Sequence, residues 1–229
     1  MKMIKKRFTS VIGKKFDKDG NVQPFPGNSI ISFIGPQMKQ FQLLIDVQNR
    51  LKGKDFSSCF SFLPVESFHM TVFDLLCDQV RVEEHWSKFI PKDHSFEKVE
   101  HEIIKLLKEE TFKIKFKMKF HHFELEKTIG AILIPEDDET GTLLRNYRDR
   151  LSEITGIRHP NHDEYFFHIS MAYLIYELND EQRKELKSVV NGIDESMHNE
   201  FETLELKPPE LVFFPDMFSF PTKPFFQKK

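Results

Sequence analysis

The sequence predicts an α+β fold assembled from two similar halves. Three observations carry this reading. Short segments alternate apolar and polar residues with period two, and the segments between them show helical spacing. An offset of 99 residues then lays the first half on the second. It carries His69 onto His168, Ile30 onto Ile129 and Pro36 onto Pro135, and it brings the region of Phe112 onto Leu211.

The elements follow in order. SIISFI (Ser29–Ile34) is the first strand, ended by Gly35-Pro36. QMKQFQLLIDVQNRL reads as a helix with Phe41, Leu44, Ile45, Val47 and Leu51 as its apolar stripe. A strand carrying His69 comes next. SFEKVEHEIIKLLKEE then reads as an amphipathic helix with Ser95 as its N-cap. TFKIKFKMKF (Thr111–Phe120) alternates apolar residues with Lys113, Lys115, Lys117 and Lys119, as a strand with one buried and one solvated face does. The second half repeats the order: TIGAILIP, a helix over 142–154, the strand FFHISMAYLI, a polar helix over 180–200, and ELVFF. No Gly/Ser linker interrupts the chain, so residues 1–229 read as one domain with pseudo-repeat lobes near 29–120 and 128–214.

The 229 residues carry 33 basic and 36 acidic side chains, a formal charge of −3. This argues against broad binding along a phosphate backbone, which needs a basic footprint. A nucleotide or a short RNA end stays compatible. Cys59 and Cys77 lack metal-ligand spacing and suit a reducing compartment. The basic N-terminus MKMIKKRFTS has no apolar stretch behind it, and no apolar run is long enough to span a bilayer. The expectation is a cytoplasmic protein with no membrane association and no obligate protein partner.

The chemistry concentrates in SFHMTVFD and FHISMAYL. On a regular strand His69, Thr71 and Phe73 share one face, and His168, Ser170 and Ala172 share one face of the other. Related by a twofold axis, the two strands bring two imidazoles and two hydroxyls to one cleft. That set suits phosphodiester chemistry: a neutral histidine takes a proton from water and a protonated one donates to the leaving oxygen. The Thr71 and Ser170 hydroxyls donate to non-bridging phosphoryl oxygens. The residues leave open which histidine is the acid. Phe73 is the best-placed aromatic to stack a base, with Tyr165 and Tyr173 behind it, since Tyr173 falls on the opposite face of a regular strand.

Two H-x-[ST]-x motifs about a hundred residues apart resemble the two-histidine (2H) phosphoesterase superfamily, which includes 2′-5′ RNA ligase-like proteins and cyclic phosphodiesterases. GNVQPFPGNSIISF, ESFHMTVFDLLCD and PNHDEYFFHISMAYL look closest to a mainly microbial branch. The resemblance implies a bilobal fold, with two antiparallel-rich sheets and outer helices around a pseudo-twofold cleft. It implies catalysis without a metal or organic cofactor, with His69 and His168 catalytic and Thr71 and Ser170 binding phosphate. The implied substrates are cyclic phosphates and small phosphodiesters of nucleotides or RNA ends. A non-catalytic module binding the same ligands is the alternative.

RHPNHDEYFFH offers a rival. His159, His162, Asp163 and His168 have spacing that a metal tolerates, but Gly156, Pro160 and Asn161 mark a loop at the cleft rim. Asp163 is a candidate for orienting His168.

Overall fold

The computed structural model describes residues 7–222, so the first six residues of the basic N-terminal stretch lie outside the described residues. In chain order the elements are β1 (Gly27–Phe33), α1 (Lys39–Lys52), β2 (Phe60–Phe62), β3 (His69–Cys77), α2 (Phe96–Leu106) and β4 (Lys117–Glu124). The second half supplies β5 (Thr128–Pro135), α3 (Asp138–Thr155), β6 (Phe167–Leu174), α4 (Asp180–Glu200), β7 (Leu204–Glu205) and β8 (Glu210–Phe214).

Helix ends follow their caps. Ser95 accepts from the Lys98 amide at the start of α2. Asn179 and Gln182 form a reciprocal capping box on α4. Asp137 caps α3, and Gly156 ends it in the left-handed region at φ 67°. The stripe of α1 is buried at Leu44, Val47 and Leu51, with Phe41 and Ile45 half-buried at its flank.

Among the described residues, the strands form one eight-stranded antiparallel sheet in the order β7-β4-β5-β6-β3-β1-β8, with β2 also paired to β6. This corrects the expectation of two sheets. The ladders of the two halves meet at β3 and β6 through the pair Met70↔Ile169, which joins them. The third strand of each half also crosses over. Only three residues separate β4 from β5, so these strands close as a hairpin, while β8 returns to pair with β1.

The lysine-alternating segment is a second correction. Its strand begins at Lys117, because β7, the neighbour on that side, is only two residues long. Before it, Phe112 and Ile114 still turn inward and Phe116 is buried, so the alternation reports burial without a ladder. Lys113, Lys115, Lys117 and Lys119 are all exposed, as a solvated face requires. α3 packs on β3 and β5, α4 on β4, and α2 on α3, leaving the other face of the central strands to the cleft. Among the described residues, no helix is long and apolar enough to cross a membrane.

Candidate active site

Met70 and Ile169, fully buried, point into the core. Side chains on either side of each therefore emerge on the opposite face. The antiparallel register sets His69 beside Ser170 and Thr71 beside His168. All four half-buried side chains line one cleft of about 390 Å³.

The imidazoles are held alike. His69 Nδ1 lies 2.7 Å from the Ser67 carbonyl and His168 Nδ1 lies 3.0 Å from the Phe166 carbonyl. A carbonyl only accepts, so in each ring the proton sits on Nδ1. This leaves Nε2 of each ring for the cleft. The Phe220 ring covers His69 at 4.3 Å, and Phe33 meets it edge-on at 6.4 Å. Burial pushes the pKa of His69 down to about 4 against the upward pull of the Ser67 carbonyl; His168 lowers it by less, and Asp74 raises it by less still. Burial thus favours the neutral form of the His69 ring.

Two β-bulges decide what else faces the cleft. Thr71 and Phe73 of β3 oppose the adjacent residues Ile31 and Ile30, so Val72 is the extra residue. Ser170 and Ala172 of β6 oppose Gly130 and Ile129, so Met171 is the extra residue. Each bulge reverses the alternation beyond it. Asp74 and Tyr173 consequently join the cleft. The placement of Phe73 over the ligand is corrected: it is 1% exposed and packs at 5.6 Å from the Arg148 guanidinium. Tyr173, expected on the far face, lines the cleft instead.

Helix donors clamp both bulges. Gln48 of α1 donates to the Met171 carbonyl at 3.1 Å and to the Leu63 carbonyl at 2.9 Å. Arg148 of α3 donates to the Val72 carbonyl at 2.6 Å and to the His162 carbonyl at 3.3 Å. Gln48→Leu, which strips the Leu63 and Met171 carbonyls of a buried donor, is expected to cost about 1–3 kcal/mol in urea unfolding.

Further polar groups stand around the cleft. The Tyr165 hydroxyl meets the Asp74 carboxylate and the Thr71 hydroxyl, and its ring lies 4.2 Å from the Arg148 guanidinium. Burial, then the charge of Asp74, holds the Tyr165 pKa well above the usual phenol value. His159 Nε2 donates to the Asp74 and Leu75 carbonyls at 3.1 and 3.2 Å, so its Nδ1 accepts from His85 Nδ1 at 2.9 Å. Lys15 brings a cation from far along the chain: its Nζ lies 3.4 Å from the Tyr173 hydroxyl and 5.2 Å from the Phe25 ring centroid.

His159 lines the cleft from the loop expected at its rim, whereas Lys15, Asp74 and His85 were not foreseen. Only Asp74 left a local signal, three residues beyond Thr71, and a bulge was needed to use it. The loop that suggested a metal is divided: His159 holds β3, His162 bonds Asp149 at 3.0 Å, and His168 is in the cleft. Asp149, His162 and Asp163 lie close enough together to share an ion, but Arg158 already bonds both carboxylates. Asp163 is corrected as well. It is exposed and paired with Arg158, while His168 is oriented by a backbone carbonyl.

None of the curated proteins matches the chain. Among solved structures, a conserved protein of unknown function from Agrobacterium tumefaciens str. C58 is similar, with a TM-score of 0.88 over 95% of this chain and 92% of that one. At 22% identity this is a likeness of fold. The family model described as 2H-phosphodiest, domain of unknown function (DUF1868), matches residues 15–129, half of the chain, and includes His69 and Thr71. His168 and Ser170 lie beyond that match, on the strand the sheet joins to β3. The chain belongs to the 2H-phosphodiest family, within the two-histidine phosphoesterase superfamily.

Proposed function

We propose that the protein hydrolyses a cyclic phosphate or small phosphodiester at a nucleotide or RNA end, with His69 and His168 as its acid–base pair. One observation carries this reading. Two imidazoles with the same fixed tautomer share a cleft, and each stands beside a hydroxyl from the other motif. Family membership supports phosphodiester chemistry. The equivalence of Met70 and Ile169 under the offset of 99 supports a pseudo-twofold relation between the halves, with its axis at that pair.

His69, kept neutral by burial, takes a proton from water on Nε2 as the water oxygen bonds to phosphorus. His168 begins protonated. As the bond from phosphorus to the ribose oxygen breaks, its Nε2–H proton passes to that oxygen. Exchange with solvent returns the proton from His69 and restores the one on His168. Thr71 and Ser170 donate to the non-bridging oxygens, where negative charge grows. Because the histidine pair performs both proton transfers, the scheme calls for no metal.

The test is hydrolysis of 2′,3′-cyclic mononucleotides in excess EDTA. Turnover to a single product isomer is the expected result. Tight binding without turnover would contradict the proposal and select the non-catalytic module.

A pH profile checks the base assignment. Protonation of His69 removes the base, so kcat/KM should rise with pH through a limb near 4 and fall when the acid loses its proton. Phe220→Ala admits water to His69 and should move the rising limb toward the ordinary histidine value of about 6.5. An unmoved limb would assign it to another group.

A further inference from the structure

The face carrying His168 continues past the cleft. Cross-strand partners share a sheet face, so the ladders can be followed outward from β6. His168 pairs with Ile132 of β5, and Ile132 pairs with His122 of β4. One step along, Ile134 pairs with Lys119, and the register extended from Leu133↔Phe167 brings Phe166 beside Ile134. A β-bulge at His121 keeps Lys119 and His122 on the same face. The result is two parallel rows, His168–Ile132–His122 and Phe166–Ile134–Lys119. Neighbouring strands are about 4.8 Å apart, so the outer row ends lie roughly 10 Å from β6.

These residues are not arranged like an ordinary solvated edge. Phe166 is 73% exposed and Ile134 is 41% exposed, so an aromatic ring and an aliphatic side chain stand together in solvent. They line a groove of about 390 Å³ that also includes His122 and Arg145, and Tyr165 lines both this groove and the cleft. The cations are available. Arg145 donates at 3.5 Å to the Thr142 hydroxyl and pairs with no carboxylate among the described residues. Lys119 donates only to the Glu136 carbonyl, at 3.4 Å, whereas Lys115 and Lys117 pair with glutamates. The carboxylate on the rim, Asp163, is paired with Arg158, which Asp149 shares.

We propose that this groove binds the single-stranded RNA immediately upstream of the reacting 3′ end. A base stacks on Phe166 over Ile134, and Lys119, His122 and Arg145 meet the phosphate that precedes it. Aromatic faces accept any base, which suits an end-processing enzyme with little sequence preference. The occupant is an anion with an apolar plane, matching an exposed ring in a groove lined by Arg145, with Lys119 at the end of its row. The inference rests on the phosphodiesterase reading and narrows its substrate to an oligonucleotide end.

The experiment compares a 2′,3′-cyclic mononucleotide with a trinucleotide ending in a 2′,3′-cyclic phosphate, in wild type, Lys119→Gln, Arg145→Gln and Phe166→Ala. The wild type should favour the trinucleotide by about tenfold or more in kcat/KM. Each variant should lose much of that preference, and the two cation variants should leave mononucleotide turnover unchanged. Equal kcat/KM for the two substrates in wild type would overturn the groove while leaving the phosphodiesterase reading intact. If neither substrate turns over, that reading fails, and binding then decides the groove. A fluorescent trinucleotide with a 3′-phosphate should bind Phe166→Ala and Arg145→Gln about tenfold more weakly than wild type; unchanged binding would overturn it.

Discussion

Alanine in place of His69 or His168 is expected to slow hydrolysis of a cyclic phosphate by about 10²–10⁴-fold in each case. The loss should fall mainly on kcat, because the imidazoles move protons while the Thr71 and Ser170 hydroxyls still hold the phosphate. Neither change should unfold the protein, since both rings lie in the cleft and Met70 and Ile169 supply the packing below them. Because the histidines act as a unit, the double variant should lose little more than either single one. The check is kcat for each variant beside its circular dichroism spectrum. Full activity in a folded single variant would remove that histidine from the mechanism.

Arg148→Ala is expected to cost about 3–5 kcal/mol of stability. The side chain is 5% exposed. It bonds the Val72 and His162 carbonyls and lies between the rings of Phe73, Tyr165 and Phe167. Truncation leaves two buried acceptors without this donor and opens a cavity among three aromatic rings. Arg148→Met refills part of the volume but supplies no donor, so it should recover only part of the loss. Urea unfolding measures both. A cost below about 1 kcal/mol for alanine would show that the Val72 bulge does not depend on its clamp.

Much of this arrangement was legible in the chain. The histidine strands declared themselves by alternation, and the polar helix over 180–200 was readable from its composition; the structure adds its Asn179 cap. The start of α3 was not readable, because Gly141 interrupts the apolar pattern; it is buried in the helix and packs near Pro135. The four paired motif residues were legible because their offset is a property of the sequence alone. Phe73, Asp74 and Tyr173 were misplaced or missed for one reason: a bulge exists only relative to the partner strand, and register is a tertiary fact. Lys15 was hidden by sequence distance, since it meets Tyr173 across 158 positions. The single sheet was equally hidden, because it depends on the Met70↔Ile169 pairing and on a hairpin that carries β4 into the second half.

The proposed function turns on hydrolysis of a phosphodiester by the two motif histidines together. Its most direct test is single-turnover hydrolysis of a 2′,3′-cyclic nucleotide in excess EDTA by wild type and by His69→Ala/His168→Ala. Product is expected from the wild type, with a loss of at least about 10²-fold in the double variant. Product formed at the same rate by both proteins would contradict the proposal.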